Sequence, residues 1–227
     1  TPLYSSAASD VYKRQVGGGL NGAKTDIVTT EAIGLTASGT LSLALVQDSA
    51  VLTNKYIGLE ITNLNASLIG ISGLTFEVSG AKVQVNQGPA GGRLNWAVAT
   101  NSTNDPTNIL PAFTMSAAVE FAASGNVALD AFGFVLGIGS FDLSKQTLNI
   151  NDDTITAFDA DVLALTLTVT KLFVGVGGGL NGAKTDIVTT EAIGLTASGV
   201  VSLALVQDTA VLTNKYIGLE ITNLNAS

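Results

Sequence analysis

VGGGLNGAKTDIVTTEAIGLTASGTLSLALVQDSAVLTNKYIGLEITNLNAS, residues 16–67, is written twice in this chain of 227 residues, the second time as residues 176–227. The offset is 160, and three of the 52 positions differ: Thr40 becomes Val200, Leu41 becomes Val201 and Ser49 becomes Thr209. All three are mild changes between residues that suit a strand. Self-similarity at a fixed period decides architecture before local propensity does. The chain therefore divides into a leader (1–15), one complete repeat unit (16–175) and the start of a second unit (176–227), which stops where the first continues as LIGISGLTFEVSG and is expected to be truncated.

Within the unit almost every window alternates apolar and polar residues, the signature of strands with one buried face. Leu41, Leu43 and Leu45 share one parity, as do Ile57, Leu59 and Ile61, and then Leu163, Leu165, Leu167 and Val169. The parity then switches. Ile61 gives way to Leu64, Ala66, Leu68; Leu74, Phe76, Val78 give way to Ala81, Val83, Val85; and Val169 gives way to Leu172, Val174, Val176. A one-residue slip moves every side chain to the other face, so each switch marks a bulge, a corner or a tight turn. Short runs with a corner after each predict an all-β, repetitive, elongated fold, solenoid-like or tightly wound. Long antiparallel strands broken by bulges, or stacked β-sandwich modules, are the alternatives. Asn21-Gly22 and Asn181-Gly182 are hairpin signals, and Pro89, Pro106 and Pro111 mark residues 86–112 as the loop-rich stretch.

Composition narrows the function more than it identifies it. Charged residues are only 12% against 46% hydrophobic, so the surface must be built from Thr, Ser, Asn and Gly. A net charge of −8 offers no basic stripe to neutralise phosphates, which argues against a nucleic-acid partner. The absence of cysteine removes disulfides, thiolate nucleophiles and zinc-thiolate sites. The absence of histidine removes Ser-His-Asp triads and imidazole-ligated metals. Uncharged stretches reach 16 residues, Ile61 to Phe76, and Thr and Asn interrupt them, so no transmembrane segment is expected. Aromatics at 6% are too few for the girdles of a transmembrane barrel.

The remaining motifs read more plainly as structure than as chemistry. Gly17, Gly19 and Gly22, repeated as Gly177, Gly179 and Gly182, satisfy GxGxxG, but a dinucleotide site needs a helix to follow, and AKTDIVTTEAIGLTASG is rich in β-branched residues and glycine. Asp152, Asp153, Asp159 and Asp161 cluster in NINDDTITAFDAD and are the candidate metal ligands, for calcium, although their spacing is not that of an EF-hand and solvated turn carboxylates are the plainer reading. Trp96 shares parity with Leu94 and Val98, which places it in the core, while Arg93 beside it is a residue type that anchors interfaces. Lys171 falls at a parity switch and is expected to be a bulge residue pointing outward. No cofactor and no enzymatic activity are expected.

FVGVGGGLN, TEAIGLTASGTLSLALV, KYIGLEITNLNASLIGISGLTFEVSG and FGFVLGIGSFDL resemble repeats of giant, adhesin-like tandem-repeat proteins of environmental bacteria. The resemblance covers residues 16–227 and implies an exported or cell-surface protein with a structural or adhesive role. Its partners would be neighbouring repeats of the same chain and a surface or matrix ligand; it carries over no functional residues. A carrier of hydrophobic ligands in an apolar β groove is the alternative. Residues 1–15, TPLYSSAASDVYKRQ, are foreign to the unit and resemble a translated sequencing adapter, so they are expected to be a non-native or disordered leader.

Overall fold

The computed structural model describes residues 19–20, 22–25, 27–28, 33–90 and 92–227. The leader, and the expectation placed on it, lies outside the described residues. Two short strands, β1 (Gly19–Leu20) and β2 (Ile27–Val28), pair antiparallel. Six long strands follow: β3 (Gly34–Gln47), β4 (Lys55–Ile69), β5 (Leu74–Gln87), β6 (Val119–Ala131), β7 (Val135–Ile150) and β8 (Phe158–Val176). The unit then begins again with the short pair β9 (Gly179–Leu180) and β10 (Ile187–Val188), and the long strands β11 (Ile193–Asp208) and β12 (Lys215–Ala226). The eight long strands form one antiparallel sheet in which every strand neighbours its predecessor, an eight-stranded meander with β3 and β12 at its edges.

The fold is all-β, as the alternation requires, but the short apolar runs are not separate strands. Each pair of runs is one strand of 12–19 residues that passes through its parity switch. The bulged long-strand alternative describes this sheet, and the corners of a tightly wound coil are replaced by bulges. Cross-strand register explains why. Ile61 pairs with Val83 and Leu64 with Ala81, and Val83 and Ala81 lie two apart on one strand, hence on one face. The extra residue of β4 is absorbed at Asn63, whose φ of 51° is the left-handed conformation that asparagine tolerates. β5 does the same around Gly80 (φ 58°), and β8 between Val169 and Lys171. The switch in sequence and the bulge in the backbone cancel, so the apolar residues stay on one face along the whole strand.

Over β3–β4 and β11–β12 the two copies fold alike. Ala37↔Ala66, Ser38↔Asn65 and Thr40↔Thr62 between β3 and β4 recur as Ala197↔Ala226, Ser198↔Asn225 and Val200↔Thr222 between β11 and β12, each with a register shift after the serine. Asn63 and Asn223 take φ values of 51° and 53°. Asp48 accepts from the amides of Ala50 and Val51, as Asp208 does from those of Ala210 and Val211. What differs is the surroundings. Among the described residues β3 has β4 as its only sheet neighbour, whereas β11 pairs with both β8 and β12.

Two connections lie over the sheet. Between β5 and β6 the chain runs through a single helical turn, α1 (Trp96–Ala99), capped by Asn95, whose side chain accepts from the Val98 amide. Trp96 is thus buried as expected, but at the start of a helix and not on a strand, and Val98 is exposed. Between β8 and β11 the β9–β10 hairpin packs Ile187 onto Leu136, Ile138 and Phe173. Its loop runs through six residues, 181–186, in place of the two-residue turn that Asn181-Gly182 suggests. The Asn181 side chain accepts from the Thr185 and Asp186 amides and closes the wider loop, with Lys184 taking the positive φ.

Candidate interaction surface

Following the register across the sheet gives two rows of different chemistry. Leu41, Ile61, Val83, Ala123, Leu143, Leu165, Leu203 and Leu219 pair in succession through all eight strands. One residue along, on the opposite face, Ser42, Glu60, Gln84, Ala122, Ser144, Ala164, Ala204 and Gly218 do the same. Along these rows one face of the sheet is apolar and the other small and polar, while farther along β7 and β8 the second face carries the apolar cluster of Leu136, Ile138 and Phe173. Both covering connections lie on the side of the second row: in the β5–β6 connection Trp96 stands over Gly58 and Thr114 bonds to Glu60, and the hairpin's Ile187 packs on Leu136 and Ile138, which share the parity of Ser144 along β7. Nothing among the described residues covers the apolar face. Leu45 is 70% exposed and Ile217 75%, with Leu41, Leu43, Leu219 and Ile221 also exposed, while the inner strands are half-buried by their neighbours on the same sheet. An apolar surface continuous over eight strands is far beyond the scattered exposed leucines of ordinary proteins, and such patches mark interaction sites.

The polar face is held by a specific lock. Trp96 is fully buried over Gly58, its Cε2 carbon 2.7 Å from where a Cβ on that glycine would stand, and it packs against Phe113 with ring centroids 5.2 Å apart. Ala44, Phe113 and Met115 complete the cluster. The indole N–H donates to Asn86 Oδ1 at 2.9 Å, and Asn86 Nδ2 donates to the carbonyls of Leu94 and Ser116. Every polar atom of that buried amide is thereby satisfied, as burial demands. Next to it, Glu60 is buried and accepts from Gln84 Nε2 (2.6 Å), Thr114 Oγ1 (2.9 Å) and the Thr114 amide (3.3 Å), with Lys82 Nζ at 3.7 Å. Burial pushes the Glu60 carboxyl up, but the bonds from Gln84 and Thr114 and the charge of Lys82 outweigh it and hold the group below its ordinary value.

The four candidate calcium ligands sit at the β7–β8 turn and do different work. Asp152 Oδ1 accepts from the Ile155 and Thr154 amides and the Thr154 hydroxyl, bonds that lower its pKa. Asp159 accepts from Asn149 and Asp161 from Thr147, across the strand pair. Asp153 occupies a left-handed turn position. Among the described residues no group of three or more acidic side chains converges as a metal site would require. Lys171 lies at the bulge, and its ammonium donates to the Ile187 carbonyl at 2.6 Å and faces Asp186 at 3.4 Å, anchoring the hairpin. Arg93 likewise ties the covering loop down, donating to the Ala117 carbonyl and pairing with Glu120 at 3.4 Å. Gly177, Gly179 and Gly182 belong to the hairpin, with no helix after them.

The sequence reading missed the pairing of Trp96 with Gly58. The available signal was a lone glycine inside the apolar strand KYIGLEI, facing Ala44 on one side and Asn86 on the other. Among the described residues no helix is long and apolar enough to cross a membrane. Comparison with protein-family models, curated proteins and solved structures gives no match to this chain.

Proposed function

We propose that this chain is a non-catalytic structural or adhesive repeat module of a large bacterial surface or secreted protein, whose units join edge to edge by continuing one β-meander. The observation that carries the reading is the junction between β8 and β11. There the last strand of one unit pairs along its length with the first long strand of the next, from Ile193↔Val176 to Asp208↔Ala160. β11 then takes up β12 in the register that β3 and β4 use. A unit so built needs only its neighbour to extend, as nearest-neighbour stacking does in other repeat proteins. The apolar face, continuous through the junction, serves as the surface on which the array packs against itself or against a ligand on a cell or matrix.

Each unit contributes six strands, β3–β8, to the sheet before the pattern restarts. At ~4.8 Å per strand, one added unit lengthens the sheet by about 29 Å, less what twist removes. Proteins of one, two and three concatenated units, compared by small-angle X-ray scattering, are expected to grow in steady steps of about that size. Maximum dimensions growing only as the cube root of mass would refute edge-to-edge joining. The uncovered apolar face favours one second reading, a carrier of hydrophobic ligands; saturable binding of a fatty-acid probe at a fixed stoichiometry per unit would select it.

A further inference from the structure

We infer that the apolar face of the sheet is the interface of a two-layer sandwich, in which it packs face to face against the same face of a second copy of this chain. The inner strands carry their burial the wrong way round for a sheet alone in water. Glu60 (5% exposed) and Asn86 (0%) are buried on one face, while Ile61, Val83, Leu143, Leu165 and Leu203 on the other are not. Those five residues lie on strands with a sheet neighbour on each side, so their exposure belongs to the face and not to an edge. Apolar surface left in water is the main drive for association.

Size and charge point to a second copy as the partner. Leu195 and Leu205 stand ten residues apart on β11, about 34 Å of strand, and the six strands from β4 to β11 span about 29 Å at ~4.8 Å each. Those six strands alone offer a face of about 1,000 Å², against about 800 Å² per partner in a stable interface of standard size. Glu60, Glu77, Lys82, Asp130, Asp142 and Lys171 all alternate onto the second face. Lys145 is paired to Glu120, and the apolar band ends where Asp161, Gln207 and Lys215 pair in one row. Laying one such face on another therefore buries no unpaired charge. Sheets packed this way stand ~10 Å apart with their strands about 30° from parallel, and a two-fold axis makes the contact self-complementary. A bilayer takes such a face only as the outside of a closed barrel, and the eight strands described form an open sheet. A single fatty-acid chain covers only part of it. The inference rests on the repeat-module reading, in which this face is a packing surface, and names its partner.

Sedimentation equilibrium of the whole chain over a range of concentrations tests the sandwich. The expected result is a species of twice the 23.0 kDa chain mass, with the apolar dye bound per chain falling as that species forms. Leu165→Lys, inside the face, should return the mass to that of one chain. Thr166→Lys, exposed on the opposite face of the same strand, should leave the dimer intact. The emission of the buried Trp96 reports that both proteins are folded; should Leu165→Lys not fold, Leu205→Lys, already 36% exposed in the single chain, takes its place. A single-chain mass up to the solubility limit overturns the inference. So does a dimer that survives these face substitutions, which is edge pairing, or one that Thr166→Lys dissolves equally. A chain that floats as a monomer with phosphatidylcholine vesicles also overturns it and assigns the face to lipid. None of these outcomes changes how concatenated units lengthen in scattering, so the sandwich and the edge-joined array fail separately.

Discussion

Gly58 and Gly218 have the same sequence neighbours and the same strand register, and opposite surroundings, so the same substitution at each isolates packing from propensity. In Gly58→Ala the new methyl would stand 2.7 Å from Trp96 Cε2, 2.9 Å from Cδ2 and 3.0 Å from Cζ2. Carbon atoms prefer about 3.5–4.0 Å, so the rigid indole, pinned by its bond to Asn86, has to retreat. Overpacking of this kind costs about 1–3 kcal/mol. Replacing a strand glycine by alanine returns about 0.5–1 kcal/mol through backbone entropy, which leaves Gly58→Ala net destabilised. Gly218→Ala meets nothing within 4 Å and keeps only the gain. The intrinsic contribution cancels between the twins, so their stabilities should differ by about 1–3 kcal/mol, the overpacking cost alone. Urea denaturation followed by the emission of the single tryptophan measures both variants, and native emission should change only in Gly58→Ala. Equal shifts of the same sign in the two proteins would refute the seating of Trp96 on Gly58.

Trp96→Ala should cost about 3–5 kcal/mol by opening a cavity in the main cluster of the polar face, whereas Trp96→Phe should keep most of the packing and lose about 1–3 kcal/mol from the orphaned Asn86 carbonyl; calorimetric melting of the two separates them. Asp48, Asp105, Asp152 and Asp208 are all held below the ordinary carboxylate range, in each case first by backbone amides such as Leu110 and Ile109 on Asp105. Their folded pKa values lie below the unfolded ones, so the stability they supply is present above about pH 4 and is lost as pH falls through the folded values. The urea midpoint should therefore be flat through neutral pH and fall in acid, and less steeply in Asp105→Asn. Leu43→Lys and Leu219→Lys, both on the uncovered apolar face, should reduce binding of an apolar dye while changing stability by no more than about 0.5 kcal/mol; a folded protein with undiminished dye binding would remove that face from the account.

Much of this architecture is legible in the residues, and what is not has a physical cause. The alternation of Leu41, Leu43 and Leu45, and the repetition of 52 residues, lead directly to strands and to two copies with one register. The parity switches after Ile61, Val78 and Val169 locate the bulges within a residue or two. Periodicity alone does not say whether the chain turns at a switch or runs on, because that depends on the partner strand: β5 holds Val83 and Ala81 in step opposite Ile61 and Leu64. Trp96 was legible as buried but not by its parity, since the Asn95 cap turns the backbone into α1 just before it. The uncovered apolar face was hidden for a further reason. Alternation shows that a strand has two different faces, and which of them a connection covers is decided by contacts such as Trp96 on Gly58 and Thr114 on Glu60, each between residues far apart in sequence.

The most direct test of a sheet that grows edge to edge is residue-resolved amide hydrogen exchange on β4 and β12, in this chain and in one extended after Ser227 by residues 68–175. In β4 the amides from Ile57 to Ile61 face partners on both sides, whereas among the described residues the identical Ile217 to Ile221 have a partner only in β11. Alternate amides of β12 should exchange rapidly in the chain as it stands, while their β4 twins are protected. In the extended chain the β12 amides should acquire the protection pattern of β4. Equal protection of the two strands before extension, or an unchanged β12 after it, would contradict the account.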